Sequence, residues 1–162
     1  MKKLIALLAF GLLLAGPARA GEVVVAPPKQ DSVCPVCGMF VAKYPEWVSA
    51  VVYKDGHAHY FDGAKDLFKY LKQLAHYAPK HSESDIAIIA VTDYYSVKTV
   101  DAHQAFFVIG SDVLGPMGHE LVAHATKAEA DEFLKDHKGK RIIGFKEVTM
   151  EILLALDRGQ VK

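Results

Sequence analysis

Both cysteines of the chain lie in Cys34-Pro35-Val36-Cys37-Gly38-Met39, alongside one of its four methionines. A Cys-x-x-Cys pair can be a zinc half-site, a redox pair, a structural disulfide or a soft-metal site. Structural zinc takes four ligands, usually from two such pairs; there is no second pair, so zinc would have to recruit histidines. A thioredoxin-like pair follows a strand and opens a helix. Here a proline-bearing stretch precedes Cys34 and Gly38 interrupts any helix. A disulfide would exclude a metal from the same two sulfurs. Thiolate and thioether sulfur together select Cu(I), with imidazole acceptable. Met39 offers that thioether two residues from Cys37, although a methionine also packs readily onto a core.

A second methionine occupies an unusual setting. Gly115-Pro116-Met117-Gly118-His119 holds Met117 on a Gly-Pro turn, displayed rather than packed, with His119 two positions on. Covering a small hydrophobic gap is the competing account of Met117. Among the eight histidines, His119 is the best ligand candidate because it adjoins Met117. His57 and His59 alternate along a strand, so they share one face and can reach one metal; an exposed strand face explains them equally well. His103 and His124 read as surface positions, His137 as a cation at a helix C-terminus, and His76 and His81 as loop polarity. No Ser-His-Asp arrangement, G-x-S-x-G elbow, phosphate loop or dinucleotide fingerprint is written in the chain.

The elements that must position these groups follow from periodicity. Val48 to Lys54 reads as a strand, Asp55-Gly56 as a hairpin turn, and His57 to Phe61 as the returning strand. Asp62 reads as the cap of a helix carrying Leu67, Phe68, Leu71 and Leu74 at helical spacing. Ile86 to Val91 is a buried strand. The order then repeats: a strand over 105–110, a glycine- and proline-bearing connection, and a strand over 119–125. A helix capped by Thr126 and Glu129 follows, then a strand over 141–148 and a last helical stretch over 150–156. The expected fold is α+β, two sequential ββαβ modules at about 48–96 and 104–150 packed as one domain. An extended and mobile lead-in over 21–33 precedes the domain at 34–162, and Trp47 opens the folded part.

Composition bounds the function. The 19 basic and 19 acidic residues cancel, leaving no electrostatic footprint for nucleic acid or an anionic membrane surface. Lys2-Lys3, the apolar run Leu4 to Leu14 and Ala18-Arg19-Ala20 read as a cleaved export signal over 1–20. The run is too short to span a bilayer. No lipid-accepting cysteine follows it, so the expected product is a soluble periplasmic protein that does not span the membrane.

These residues, taken in order, resemble the NosL family. The resemblance rests on Cys-Pro-Val-Cys-Gly-Met before a proline turn and on Tyr60-Phe61-Asp62-Gly63 entering a helix. It extends through Phe107-Val108-Ile109-Gly110-Ser111-Asp112 to Gly115-Pro116-Met117-Gly118, covering roughly Cys34 to Val148. It implies a paired-ββαβ fold and a periplasmic Cu(I) chaperone, without enzymatic activity, that serves nitrous oxide reductase. Its partners would be a copper-delivery complex or the apo copper enzyme. By position, Cys37, Met39 and Met117 match the family motifs as ligands; Cys34 is the next candidate, and His119 is added from its own spacing. The family is typically lipid-anchored, and this leader departs from it. The competing functions are a thiol-disulfide oxidoreductase using Cys34 and Cys37, and a mercury-handling relative.

Overall fold

The computed structural model describes residues 19–161, so the export-signal reading of residues 1–18 lies outside the described residues. The first sheet forms from β1 (Ser49–Tyr53), β2 (Ala58–Phe61), β3 (Ile86–Thr92) and β4 (Thr99–Asp101), in the order β2-β1-β3-β4 and antiparallel throughout. Between β2 and β3 run α1 (Ala64–Lys72) and a short α2 (Leu74–Tyr77). The second sheet forms from β5 (Phe106–Ile109), β8 (Val122–His124) and β9 (Arg141–Gly144), in the order β8-β5-β9. Between β5 and β8 a separate two-stranded ribbon projects, β6 (Leu114–Gly115) paired with β7 (Gly118–His119). Helix α3 (Lys127–Asp136) joins β8 to β9, and α4 (Met150–Asp157) closes the chain. No described helix is long and apolar enough to cross a membrane.

Burial explains why Phe106 to Ile109 is uniformly apolar. Phe107 and Ile109 face the main core with Phe61, Leu67, Phe68, Leu121, Ile143 and Leu153, while Val108 joins Val122, Ala130 and Phe133 under α3. A strand covered on both faces has no polar side to alternate with. Helix α3 begins at the expected capping box: Thr126 accepts from the Glu129 backbone N–H, and Glu129 accepts from Thr126 N–H. The strand expected over 141–148 ends at Gly144, where Glu147 turns back to accept the Gly144 N–H and starts a 3-10 turn.

Folded structure begins well before Trp47. Val41 and Cys34 are buried in the core. The lead-in is extended but tied down. Val23 donates to Thr99 O, Asp101 donates to Gly21 O, and the Tyr60 hydroxyl donates to Ala26 O. Ala20 itself is buried and donates to Ala125 O.

Candidate metal centre

The stretch Val33 to Phe40 is a tight turn. Cys34 N–H donates to Met39 O at 2.9 Å, Gly38 N–H donates to Cys34 O at 2.8 Å, and Val33 pairs with Phe40. Gly38 sits at φ +79°, the left-handed region that glycine enters without a Cβ penalty. Both cysteines are free; Cys34 is buried and Cys37 half-buried.

The turn lays both sulfurs on the start of α1. The Cys37 thiol donates to Asp62 Oδ1 at 3.2 Å, and the Cys34 thiol to Asp66 Oδ2 at 3.5 Å. One ligand atom from each of Cys34, Cys37, Asp62 and Asp66 lies within 4.8 Å of every other. The second oxygens, Asp62 Oδ2 and Asp66 Oδ1, are buried without a hydrogen bond. Lys69 Nζ, 3.3 Å from Asp66 Oδ1, gives that carboxylate charge compensation only. Asp62 Oδ2 has neither a hydrogen bond nor an ion pair among the described residues, and a buried carboxylate oxygen left so beside two sulfurs is costly, so this donor set fits a metal ion. Burial raises both thiol pKa values above the ordinary range; the Asp66 charge adds to this at Cys34, and the Cys34 sulfur and Asp62 carboxylate add to it at Cys37, against the lowering by backbone hydrogen bonds. Such thiols are poor nucleophiles until a metal displaces their protons.

Asp62 was expected to cap α1, and it does not. Gly63 is the N-cap residue and supplies no side chain. The acceptor comes instead from Glu120, whose Oε1 takes the Lys65 N–H at 2.6 Å and the Leu121 N–H at 2.8 Å. Its carboxyl fits only because Gly63 is bare; a Cβ there would lie 2.2 Å from Glu120 Oε2. The Glu120 stem packs on Gly115 in the same way, 3.2 Å from a Cβ position. Burial raises the Glu120 pKa to about 8, so it holds its proton through neutral pH.

That arrangement fixes the β6-β7 ribbon against the helix bearing the Asp-Cys cluster. Lys65, buried beside Asp66, donates through Nζ to Met117 O at 2.9 Å and pairs with Asp157 at 3.2 Å. Met117 stands at the ribbon turn, 44% exposed, so its thioether is open to a partner molecule. Met39 is half-buried on the cysteine turn. The structure thus gathers Cys34, Cys37 and Met39 on one turn and ties the Met117 backbone to α1. The His119 ring lies against Gly159, just past α4. His124 is fully buried rather than a surface position. Asp62, Asp66, Lys65 and Glu120 were not legible as site residues. The nearest signal was two aspartates four apart at a helix start, a spacing shared by many solvated helix faces.

A family model described as NosL matches residues 25–153. The chain is 26% identical over 156 residues to the copper-binding lipoprotein NosL of Stutzerimonas stutzeri, an alignment covering 91% of this chain and 78% of that protein. Its fold is similar to that in the crystal structure of the copper chaperone NosL from Shewanella denitrificans, with a TM-score of 0.67 at 23% identity. That match covers 79% of this chain and 97% of the other.

Proposed function

We propose that this chain, which belongs to the NosL family, is a periplasmic copper chaperone that carries Cu(I) to the assembly of a copper enzyme, with nitrous oxide reductase as the client. The observation that carries the reading is the meeting of two sulfur motifs at the start of α1. The Cys-x-x-Cys-Gly-Met turn reaches it through Asp62 and Asp66, and the Pro-Met-Gly ribbon through Lys65 and Glu120. Cys37, Met39 and Met117 are the proposed ligands, with Cys34 as a further sulfur and His119 as the reserve imidazole. A thiolate with thioethers prefers Cu(I) to the harder divalent ions. The names of the relatives, a copper-binding lipoprotein and a copper chaperone, support the same cargo.

The cargo binds as thiol protons leave, and the carboxylates already accepting those S–H groups are placed to receive them. Exposure of Met117 gives an incoming partner a ligand to exchange first. The thiol-disulfide alternative needs an attacking thiolate, and the burial that raises both thiol pKa values opposes one. The leader-like sequence over 1–20 supports delivery outside the cytoplasm.

Competition for Cu(I) against a chromophoric chelator, on reduced protein, tests the reading. Cys37→Ser and Met117→Leu should each weaken binding by at least the roughly tenfold that loss of a mere outer partner brings. Unchanged affinity in both variants overturns the proposed ligand set.

A further inference from the structure

A second cluster of donor groups lies on the β1-β2 hairpin and shares no residue with either sulfur motif. His57 and His59 flank Ala58 and project from the same strand face, with Nε2 of each 3.3 Å from Nε2 of the other. We infer that His57 and His59 form a separate imidazole site for a borderline divalent cation of the zinc or copper(II) class. This goes beyond the Cu(I) reading and does not depend on it.

The geometry is what a shared ion requires. Imidazole nitrogens bind zinc at about 2.05 Å, so two nitrogens at the observed separation of 3.3 Å subtend about 107° at the ion, close to the tetrahedral angle. The two rings stand edge to face at 85°, with centroids 4.8 Å apart, so they meet at their nitrogen tips rather than stacking. The tip of the hairpin is held in place: Asp55 Oδ1 accepts the His57 N–H at 2.9 Å, and Gly56 N–H donates to Tyr53 O at 2.9 Å. His59 is partly buried against Tyr53 and Tyr70, with ring centroids at 6.0 and 5.3 Å. Its environment favours the neutral imidazole that a metal needs, first by desolvation and then by the His57 and His81 charges.

A third imidazole borders the pair. His81 stacks on Tyr53 at 4.0 Å and lies parallel to His57 at 6.1 Å. His81, held on Tyr53, borders the ion's position without joining the pair as a ligand, and water completes the coordination. Both donors are nitrogen, which suits zinc and copper(II) rather than the soft Cu(I) preferred by sulfur. From His59 to Asp62 the chain advances three extended residues, about 10 Å at the usual strand rise. The two sites are therefore neighbours on one hairpin-helix unit without sharing a ligand.

Zn2+ is the probe, because it is redox-silent. It is titrated into the Cys34→Ser/Cys37→Ser chain, which lacks the thiols of the proposed Cu(I) site, and histidine ring nitrogens are followed by NMR. One equivalent should shift the His57 and His59 Nε2 signals together, leaving the buried His124 ring unchanged. His57→Asn and His59→Gln should each weaken binding by roughly tenfold or more. His57 is exposed, so the first substitution does not threaten folding. The same ring signals in the wild-type chain give the second reading, should the serine substitutions disturb the cysteine turn. Absence of Zn2+ binding, binding untouched by either substitution, or shifts confined to other histidines would each overturn the site. A simple hydrogen bond between the two rings predicts those outcomes.

Discussion

Gly63→Ala should be far more damaging than an alanine at an ordinary helix start. Gly63 has an extended backbone, φ 178°, that any residue adopts, so conformational strain is not the cause. The cause is steric, since the new Cβ would lie 2.2 Å from Glu120 Oε2 and 3.0 Å from its Cδ. The carboxyl must withdraw by more than an ångström to reach ordinary contact. Glu120 is 3% exposed, with its Oε1 committed to Lys65 N–H and Leu121 N–H. Among the described residues, withdrawal removes the only side-chain acceptor at the α1 N-terminus, and a lost cap costs about 1 kcal/mol. Leaving a buried N–H unpaired costs about 1–3 kcal/mol, and the two effects overlap. The expected loss is therefore about 2–3 kcal/mol, read as a shift in urea midpoint at unchanged m. In a Glu120→Ala background the carboxyl is gone, so Gly63→Ala should cost less than about 0.5 kcal/mol, the scatter expected of independent changes. Equal losses in both backgrounds would refute the assignment of Glu120 as the cap of α1.

Two further substitutions probe the rest of the fold. His124 is fully buried among Tyr94, Tyr95 and Phe133, both ring nitrogens lack a partner, and desolvation lowers its pKa to about 4. Because the unfolded chain takes up this proton first, His124 should withdraw stability as pH falls from about 6.5 towards 4, by at most ~3 kcal/mol; His124→Phe should flatten that decline in acid unfolding curves. Asp93 is buried between the sheets, accepting Ala125 N–H at 2.7 Å through Oδ1 and Ser96 N–H at 2.8 Å through Oδ2. Asp93→Ala should cost about 2–4 kcal/mol in urea unfolding by orphaning both donors, and Asp93→Asn less, because one acceptor survives.

Elements were legible where side-chain pattern and local chemistry agree. Val48 to Lys54 and Ile86 to Val91 announced β1 and β3 by composition, and Thr126 with Glu129 announced the start of α3. The site depends on contacts that no local pattern carries. Glu120 caps a helix that begins more than fifty residues earlier, in a space that exists only because Gly63 and Gly115 lack side chains. Asp62 has the residue type and place of a cap, yet its carboxylate turns to Cys37, a preference set by the docked cysteine turn. The attachment of the lead-in is not legible because backbone hydrogen bonds to β4 and polar side-chain contacts, rather than a periodic apolar face, hold it. His124 looks like a strand polar residue until the aromatic residues around α3 cover it.

In the proposed centre the cysteine turn and the Met117 ribbon hold one copper ion between them. X-ray absorption at the copper edge of the anaerobically loaded Cu(I) protein, compared with its Met117→Leu variant, tests this directly. Met117 is exposed and its backbone carbonyl, not its side chain, carries the contact to Lys65, so the substitution leaves the fold intact. The wild type should show an all-sulfur or sulfur-dominated shell, and the variant should lose one sulfur scatterer. An identical shell in the two proteins would contradict it.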